Sequence, residues 1–235
     1  MLNPNPVVEA VPLYDGHHCW IIDDALTEPE RWVAKAAAHR AEFAELGVNA
    51  YPGPELRLPD GIAAAFSDLF RDQFRHRLGL RRIQRAYTRL SMVTWPADRL
   101  EPRQWICHRD RFGLPAHESA AASVLYLFES GRFGGTRFFR PRRPVDEINR
   151  LVHDSGVLDA AAFQQKYGIQ RGYIEDGNDW FECVANIPAR FNRLICYDGT
   201  LFHSSDIRRG DPLSDDPAQG RLTLNGFFLC SRAAT

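Results

Sequence analysis

The sequence has almost no lysine, no CxxC pair and no long apolar run. Among its 235 residues only Lys35 and Lys166 are lysines, and arginine brings the basic residues to 29 against 30 acidic ones. The net charge of −1 excludes a strong overall attraction to nucleic acids or to membrane surfaces. No apolar run approaches the roughly 20 residues that a membrane helix needs, so we expect no membrane segment.

The cysteines are odd in number and scattered, which fits neither a disulfide framework nor a structural zinc site. The N-terminal sequence shows no basic stretch followed by an apolar one, as a secretion signal would. We therefore expect buried thiols in a cytoplasmic protein. The five cysteines are Cys19, Cys107, Cys183, Cys196 and Cys230.

The first third of the chain has the apolar spacing of amphipathic helices. Thr27 and Glu30 form a capping-box pattern, and the apolar residues beyond them predict a helix from Trp32 to about Leu46. A second apolar face begins at Ile62 and ends before Gly79. We expect residues 1–82 to support a β-core with these helices.

Short β-prone runs recur from residue 83 onward and predict a barrel or a sandwich. They are interrupted near 144–170 by helical spacing, which predicts an insertion that can act as a lid at the mouth of a barrel. We expect one domain over 1–235, with a mainly β-core over 83–235. The runs cover residues 83–95, 123–128, 136–139, 191–197 and 222–229.

Three side chains have the chemistry of metal ligands. His108 and Asp110 lie two residues apart, so in a strand they point to the same face. His203, from a distant segment, would complete two histidines and one carboxylate, the facial set of non-haem Fe(II) oxygenases. A His-X-Asp tripeptide alone is weak evidence, because most such tripeptides lie on solvated turns.

The segment 220–228 strengthens the metal hypothesis. Arg221 stands at the start of an apolar run, and Thr223 follows on the same face. An arginine fork binds a carboxylate bidentately, and a neighbouring hydroxyl adds a hydrogen bond. An otherwise apolar barrel interior has little other use for this arginine.

Over residues 88 to 230, these motifs resemble the Fe(II)- and 2-oxoglutarate-dependent dioxygenases, and most of all their prolyl-hydroxylase-like branch. Four motifs in the same order are far more specific than any one of them. The gap from His203 to Arg221 is longer than usual in that family, and the insertion is not part of its minimal barrel. The matching segments are 106–110, 124–128 with 134–138, 192–197 leading to His203, and 220–223.

The resemblance implies a double-stranded β-helix, a jelly-roll or cupin-like barrel. It implies His108, Asp110 and His203 as the metal ligands and catalytic centre. For 2-oxoglutarate it implies Arg221, Tyr126 and Thr223.

The implied cofactors are Fe(II), 2-oxoglutarate as cosubstrate, and O2. The implied reaction is hydroxylation of an aliphatic C–H, for which we expect an amino acid, free or within a peptide, as the substrate. Asp110 favours hydroxylation over halogenation, since halogenating members have a small residue there. Arg137 or Arg140 is a candidate to hold a substrate carboxylate.

Three alternatives remain at this point. The chain could be a catalytically silent β-helix that serves as a binding module, although the intact motifs argue against it. It could be a cupin-type isomerase with another metal, in which case Arg221 would not bind 2-oxoglutarate. The seven arginines between residues 71 and 89 keep a nucleic-acid-directed dioxygenase open, although we expect a small-molecule or peptide substrate.

Overall fold

The computed structural model describes residues 1–46, 51–111 and 113–232. The described parts contain ten β-strands and four α-helices. The strands are β1 (Glu9–Pro12), β2 (His18–Ile22), β3 (Glu55–Arg57), β4 (Leu80–Val93), β5 (Glu118–Tyr126), β6 (Thr136–Pro141), β7 (Phe181–Ile187), β8 (Leu194–Asp198), β9 (Phe202–Ser205) and β10 (Arg221–Arg232). The helices are α1 (Pro29–Ala38), α2 (Asp60–Leu69), α3 (Val145–Ser155) and α4 (Ala160–Tyr167).

The strands form two antiparallel sheets that do not close into a barrel. The large sheet has seven strands in the order β1-β2-β8-β5-β10-β4-β3, and the small sheet has three in the order β7-β6-β9. Side chains from β5 and β8 share one buried cluster with side chains from β6 and β7, so the two sheets face each other. The prediction of a mainly β-protein with N-terminal helices is confirmed.

Strand β10 shows how alternation divides the large sheet into two faces. Leu222 and Leu224 point outward into a cluster that includes Ala36 of α1 and Phe66 of α2. Burying a side chain of this kind contributes roughly 1.5–3 kcal/mol. Helices α1 and α2 therefore cover the outer face of the large sheet, and the alternate residues of β10 face the small sheet.

Helix α1 is shorter than the sequence pattern predicts. It ends at Ala38 and is followed by a 3-10 turn over Arg40–Glu42. Ala44 then pairs with Glu55 in an isolated β-bridge, so the chain is already extended where the pattern predicts helix. The predicted capping box is also wrong, because the Thr27 hydroxyl donates to the carbonyl of Met1 instead.

Helices α3 and α4 lie between β6 and β7 in the chain. They pack through Leu151 and Phe163 against Phe139 and Phe202, on the outer face of the small sheet. Their position differs from that of a lid, because they cover the back of this sheet. None of the helices in the described residues combines the length and the apolar character needed to cross a membrane.

Candidate metal centre and its cavity

His108 and Asp110 lie in an extended segment that pairs with β9. The backbone N–H of His108 donates to the carbonyl of His203, and the reverse bond is also formed, each at 2.9 Å. The N–H of Asp110 donates to the carbonyl of Gly199 at 2.9 Å. This two-bond bridge sets both histidines side by side, with ring centroids 4.5 Å apart.

The three side chains converge on one point. One ligand atom each from His108, Asp110 and His203 lies within 4.8 Å of the others. The distance from Nε2 of His203 to Oδ2 of Asp110 is 3.6 Å. Nδ1 of His203 lies 3.0 Å from the carbonyl of Leu201, a contact in which Nδ1 must donate its proton. The other ring nitrogen, Nε2, faces the shared point and is the atom with a lone pair for a metal in the tautomer that this contact selects.

The electrostatics of the cluster suit a cation. Burial lowers the pKa of His108 well below its ordinary value, and the nearby His203 and Arg89 lower it further. Burial also raises the pKa of Asp110. Oδ2 of Asp110 is buried and has no hydrogen-bond partner within the described residues. Two histidine rings and an unsatisfied carboxylate oxygen fit a divalent metal such as Fe(II), whose coordination would satisfy that oxygen.

Arg221 lies in the same cavity as these three residues. Its side chain is buried, with Nη2 donating to the carbonyl of Gly135 at 2.6 Å and Nε to that of Gly134 at 3.2 Å. A Cβ at Gly135 would lie 1.9 Å from the carbonyl of Ile187, so this close approach requires glycine. Within the described residues no carboxylate pairs with Arg221, and its charge lacks an anion.

The other two predicted cosubstrate residues differ in their access to the cavity. Thr223 lines it, and its hydroxyl lies 3.3 Å from the carbonyl of Ser91. Tyr126 is fully buried, with its hydroxyl 2.8 Å from the hydroxyl of Thr136, which lines the cavity. Tyr126 thus supports the cavity wall through Thr136.

Tyr51 and Arg89 also line the cavity, and the sequence did not single them out as site residues. The Tyr51 hydroxyl is buried beside Thr223 and has no hydrogen-bond partner of good geometry in the described chain. Burial raises the pKa of Tyr51. Arg89 stands on β4 opposite Asn225. Inward alternation along β4 could have found Arg89, whereas no local signal places Tyr51 here.

Arg137 and Arg140, the two candidates to hold a substrate carboxylate, do not line the cavity. Arg137 forms ion pairs with Asp176 and Asp206 on the outer side of β6, and Arg140 is exposed beside Tyr14. The structure thus directs Arg137 away from the cavity.

The arginine-rich stretch 71–89 does not form one free basic face. Arg71 pairs with Asp68 and Asp72, while Arg75 donates to the carbonyl of Arg81. Arg89 points into the cavity. The distribution gives no support to the nucleic-acid alternative.

Comparison with known proteins gives one family and several similar folds. A family model described as "Family of unknown function (DUF6445)" matches residues 4–228. No curated protein is significantly similar to the sequence.

Three solved structures illustrate the similar folds. A prolyl-4-hydroxylase of Pseudomonas putida is 15% identical with a TM-score of 0.48, over 93% of this chain and 94% of that chain. The epimerase SnoN from nogalamycin biosynthesis, in complex with Fe3+ and alpha ketoglutarate, is 13% identical with a TM-score of 0.46, over 92% and 81%. HygX from Streptomyces hygroscopicus, with nickel and 2-oxoglutarate bound, is 11% identical with a TM-score of 0.46, over 94% and 85%. These similarities are too low to assign a function to the present chain, so its own residues must indicate the function.

Proposed function

The chain belongs to this family of unknown function, and from its own site we propose that it is an Fe(II)- and 2-oxoglutarate-dependent oxygenase. We propose that it hydroxylates an aliphatic carbon of an amino acid, free or in a peptide. One observation carries this proposal. A triad of two histidines and a carboxylate shares a cavity with a buried arginine that has no carboxylate partner within the described residues.

The strand order supports a double-stranded β-helix. The central strands of the large sheet run β8-β5-β10-β4, and the small sheet runs β7-β6-β9, with His108 bridged to His203 beyond β9. Counting that bridge as a short strand, the two sheets contribute four strands each to the sandwich. Chain neighbours such as β5 and β6 lie in opposite sheets, as in a jelly roll.

The metal ligands in this proposal are His108, Asp110 and His203. When bound, Fe(II) with 2-oxoglutarate and O2 supplies the oxidation, in which one oxygen atom goes to succinate, one goes to the substrate carbon, and carbon dioxide leaves. The protein contributes positioning and the exclusion of water.

Arg221 is the residue that holds the far carboxylate of 2-oxoglutarate. In the described part of the chain, the hydrogen-bond acceptors of this buried guanidinium are only the Gly134 and Gly135 carbonyls. Its positive charge is not offset by them, whereas a carboxylate would offset it. Thr223 and Tyr51 place two hydroxyls beside this position. We assign Tyr51 to the cosubstrate because its hydroxyl is without a partner among the described residues, whereas that of Tyr126 is bonded to Thr136.

The test is a two-step anaerobic calorimetric titration. Wild type should bind one equivalent of Fe(II) and then one of 2-oxoglutarate, and 2-oxoglutarate binding should require the iron. His108→Ala should weaken Fe(II) binding at least about 100-fold because it removes a ligand. His117→Ala is the matched control, since this exposed histidine lies outside the cluster.

Succinate release after admission of air is the second readout. The oxygenase proposal fails if folded wild type binds neither Fe(II) nor 2-oxoglutarate. In that event the silent binding module becomes the better description. Binding of the metal without 2-oxoglutarate would instead favour the cupin-type isomerase.

A further inference from the structure

Arg89 is a second arginine in the metal cavity, and the proposed chemistry does not use it. It lies on the inner face of β4, opposite Asn225 of β10. Its guanidinium carbon is 4.7 Å from the ring centroid of Phe227 and 5.6 Å from that of Tyr51. These two aromatic rings confine the guanidinium within the cavity.

Glu55 fixes the orientation of this guanidinium. Nη1 of Arg89 lies 2.6 Å from both carboxylate oxygens of Glu55, which is buried. Because Arg57 of β3 pairs with Arg89 of β4, Glu55 is the diagonal neighbour on the same face. The ion pair leaves Nε of Arg89 buried, with no hydrogen-bond partner in the described parts of the chain. A buried donor without an acceptor is unfavourable, so an acceptor on a ligand would stabilise it.

Arg89 and Arg221 enter the cavity from different positions along the paired strands β4 and β10. Arg221 pairs with Val93 of β4, four residues beyond Arg89. At a rise of roughly 3.3 Å per residue, the two backbone positions are about 13 Å apart. Arg89 instead packs against Phe227, which together with the metal ligand Asp110 lines both this cavity and a cavity next to it. Arg89 therefore lies on the metal side of the cavity.

The opening next to the metal adds further positive charge. An adjoining cavity shares Asp110 and Phe227 with the first and is also lined by Arg85 and Arg111. Among the described residues that line the two cavities, Asp110 is the only acidic one. An opening lined in this way attracts anions.

We infer that Arg89, oriented by Glu55, binds a carboxylate of the substrate, so that the substrate is a small compound with a free carboxylate. The inference rests on the proposed function, because it takes the bound metal as the reacting centre. It narrows the proposed amino-acid substrate to one with a free α-carboxylate, of which a free amino acid is the smallest, and it excludes an internal peptide residue, which has no α-carboxylate.

The experiment continues the anaerobic titration on protein already loaded with Fe(II) and 2-oxoglutarate. The probes are the twenty proteinogenic L-amino acids, each compared with its C-terminal amide. At least one amino acid should bind wild type, and its amide should bind about 10- to 100-fold more weakly because the charge-assisted hydrogen bonds are lost. Arg89→Gln should weaken the amino acid by a similar factor, and Arg89→Lys should restore part of the affinity.

Two variants separate recognition from structure. Arg89→Gln leaves Glu55 buried without its cation, so the double variant Glu55→Gln/Arg89→Gln removes both charges together and should fold while still failing to bind the amino acid. Arg82→Gln removes an exposed arginine from the same strand and should bind like wild type.

The outcomes distinguish this inference from the proposed function. If 2-oxoglutarate itself fails to bind wild type, both are overturned. If 2-oxoglutarate binds but no amino acid does, or if an amino acid binds wild type and Arg89→Gln equally, only the inference is overturned. Weaker 2-oxoglutarate binding in Arg89→Gln, with amino-acid binding unchanged, would also overturn it by assigning Arg89 to the cosubstrate.

Discussion

Arg137 and Arg221 are equally buried, each with 2% of its surface exposed, yet their electrostatic surroundings are opposite. Arg137 pairs with Asp206 at 2.9 Å and with Asp176 at 2.6 Å, and it also donates to the carbonyl of Glu175. Asp206 in turn accepts from Asn186 at 2.8 Å. The charge of Arg137 is thus compensated within the protein.

Arg221 lies on the other side of the same glycine pair. Among the described residues it donates only to the carbonyls of Gly134 and Gly135, and the latter also accepts from the backbone N–H of Asp206 at 3.0 Å. The surroundings of Arg137 and Arg221 are therefore joined through the carbonyl of Gly135, but only Arg137 has carboxylate partners among the described residues. Burial alone therefore does not distinguish the two arginines, whereas the presence of carboxylate partners among the described residues does.

The largest expected effect is a loss of stability when Arg137, whose charge is compensated, is replaced. Arg137→Met leaves Asp206 buried with much of its compensation removed, and we expect a loss of about 3 kcal/mol in the free energy of unfolding. Urea unfolding monitored by tryptophan fluorescence measures this. Arg137→Met/Asp206→Asn should recover most of the loss, and 2-oxoglutarate affinity should be unchanged in both. A large drop in 2-oxoglutarate affinity would contradict the distinction between a structural Arg137 and a cosubstrate-binding Arg221.

The same substitution at Arg221 should weaken 2-oxoglutarate binding instead of lowering stability. Arg221→Met removes a bidentate anion contact worth about 3 kcal/mol, so 2-oxoglutarate should bind roughly 100-fold more weakly. The free energy of unfolding should change by less than about 1 kcal/mol, because no buried carboxylate loses its partner. Anaerobic calorimetry and urea unfolding test the two halves of this prediction. Severe destabilisation without loss of affinity would make Arg221 a structural residue.

Two tyrosines give a smaller version of the same contrast. Tyr51→Phe should leave stability unchanged and weaken 2-oxoglutarate binding about fivefold, because its hydroxyl has no partner within the described residues. Tyr126→Phe breaks the contact with Thr136 and should lower the free energy of unfolding by about 1 kcal/mol without affecting binding. The reverse result would return the cosubstrate role to Tyr126, as the family resemblance implies.

Sequence alone could predict that His108, Asp110 and His203 come together, because the signal is local and chemical. His108 and Asp110 need only an extended backbone to share a face, and the bridge to His203 provides it. Arg221 was recognisable as a charge in an apolar strand. The roles of these residues and of Thr223 in binding stay predictions, although all of them line the same cavity.

The sequence alone could not place Tyr51 and Arg89 in the cavity, for a physical reason. Tyr51 follows no strand or helix pattern, and tertiary packing alone brings it into the cavity. Arg89 belongs to an arginine-rich run, and only the inner face of β4 shows that it lines the cavity. Similarly, β7 was missed because its side chains are mostly half-buried and lack clear alternation.

An anaerobic titration of the Fe(II)-loaded protein with 2-oxoglutarate tests directly whether Arg221 binds the cosubstrate beside the metal. It is followed by the visible charge-transfer band of a chelated 2-oxo acid. Wild type and Arg137→Met should develop the band with the same half-saturation, Arg221→Met should require roughly 100-fold more 2-oxoglutarate, and His108→Ala should show no band. A folded wild type without the band would contradict the binding of 2-oxoglutarate at the metal. Identical curves for wild type and Arg221→Met would contradict the role of Arg221 in holding it.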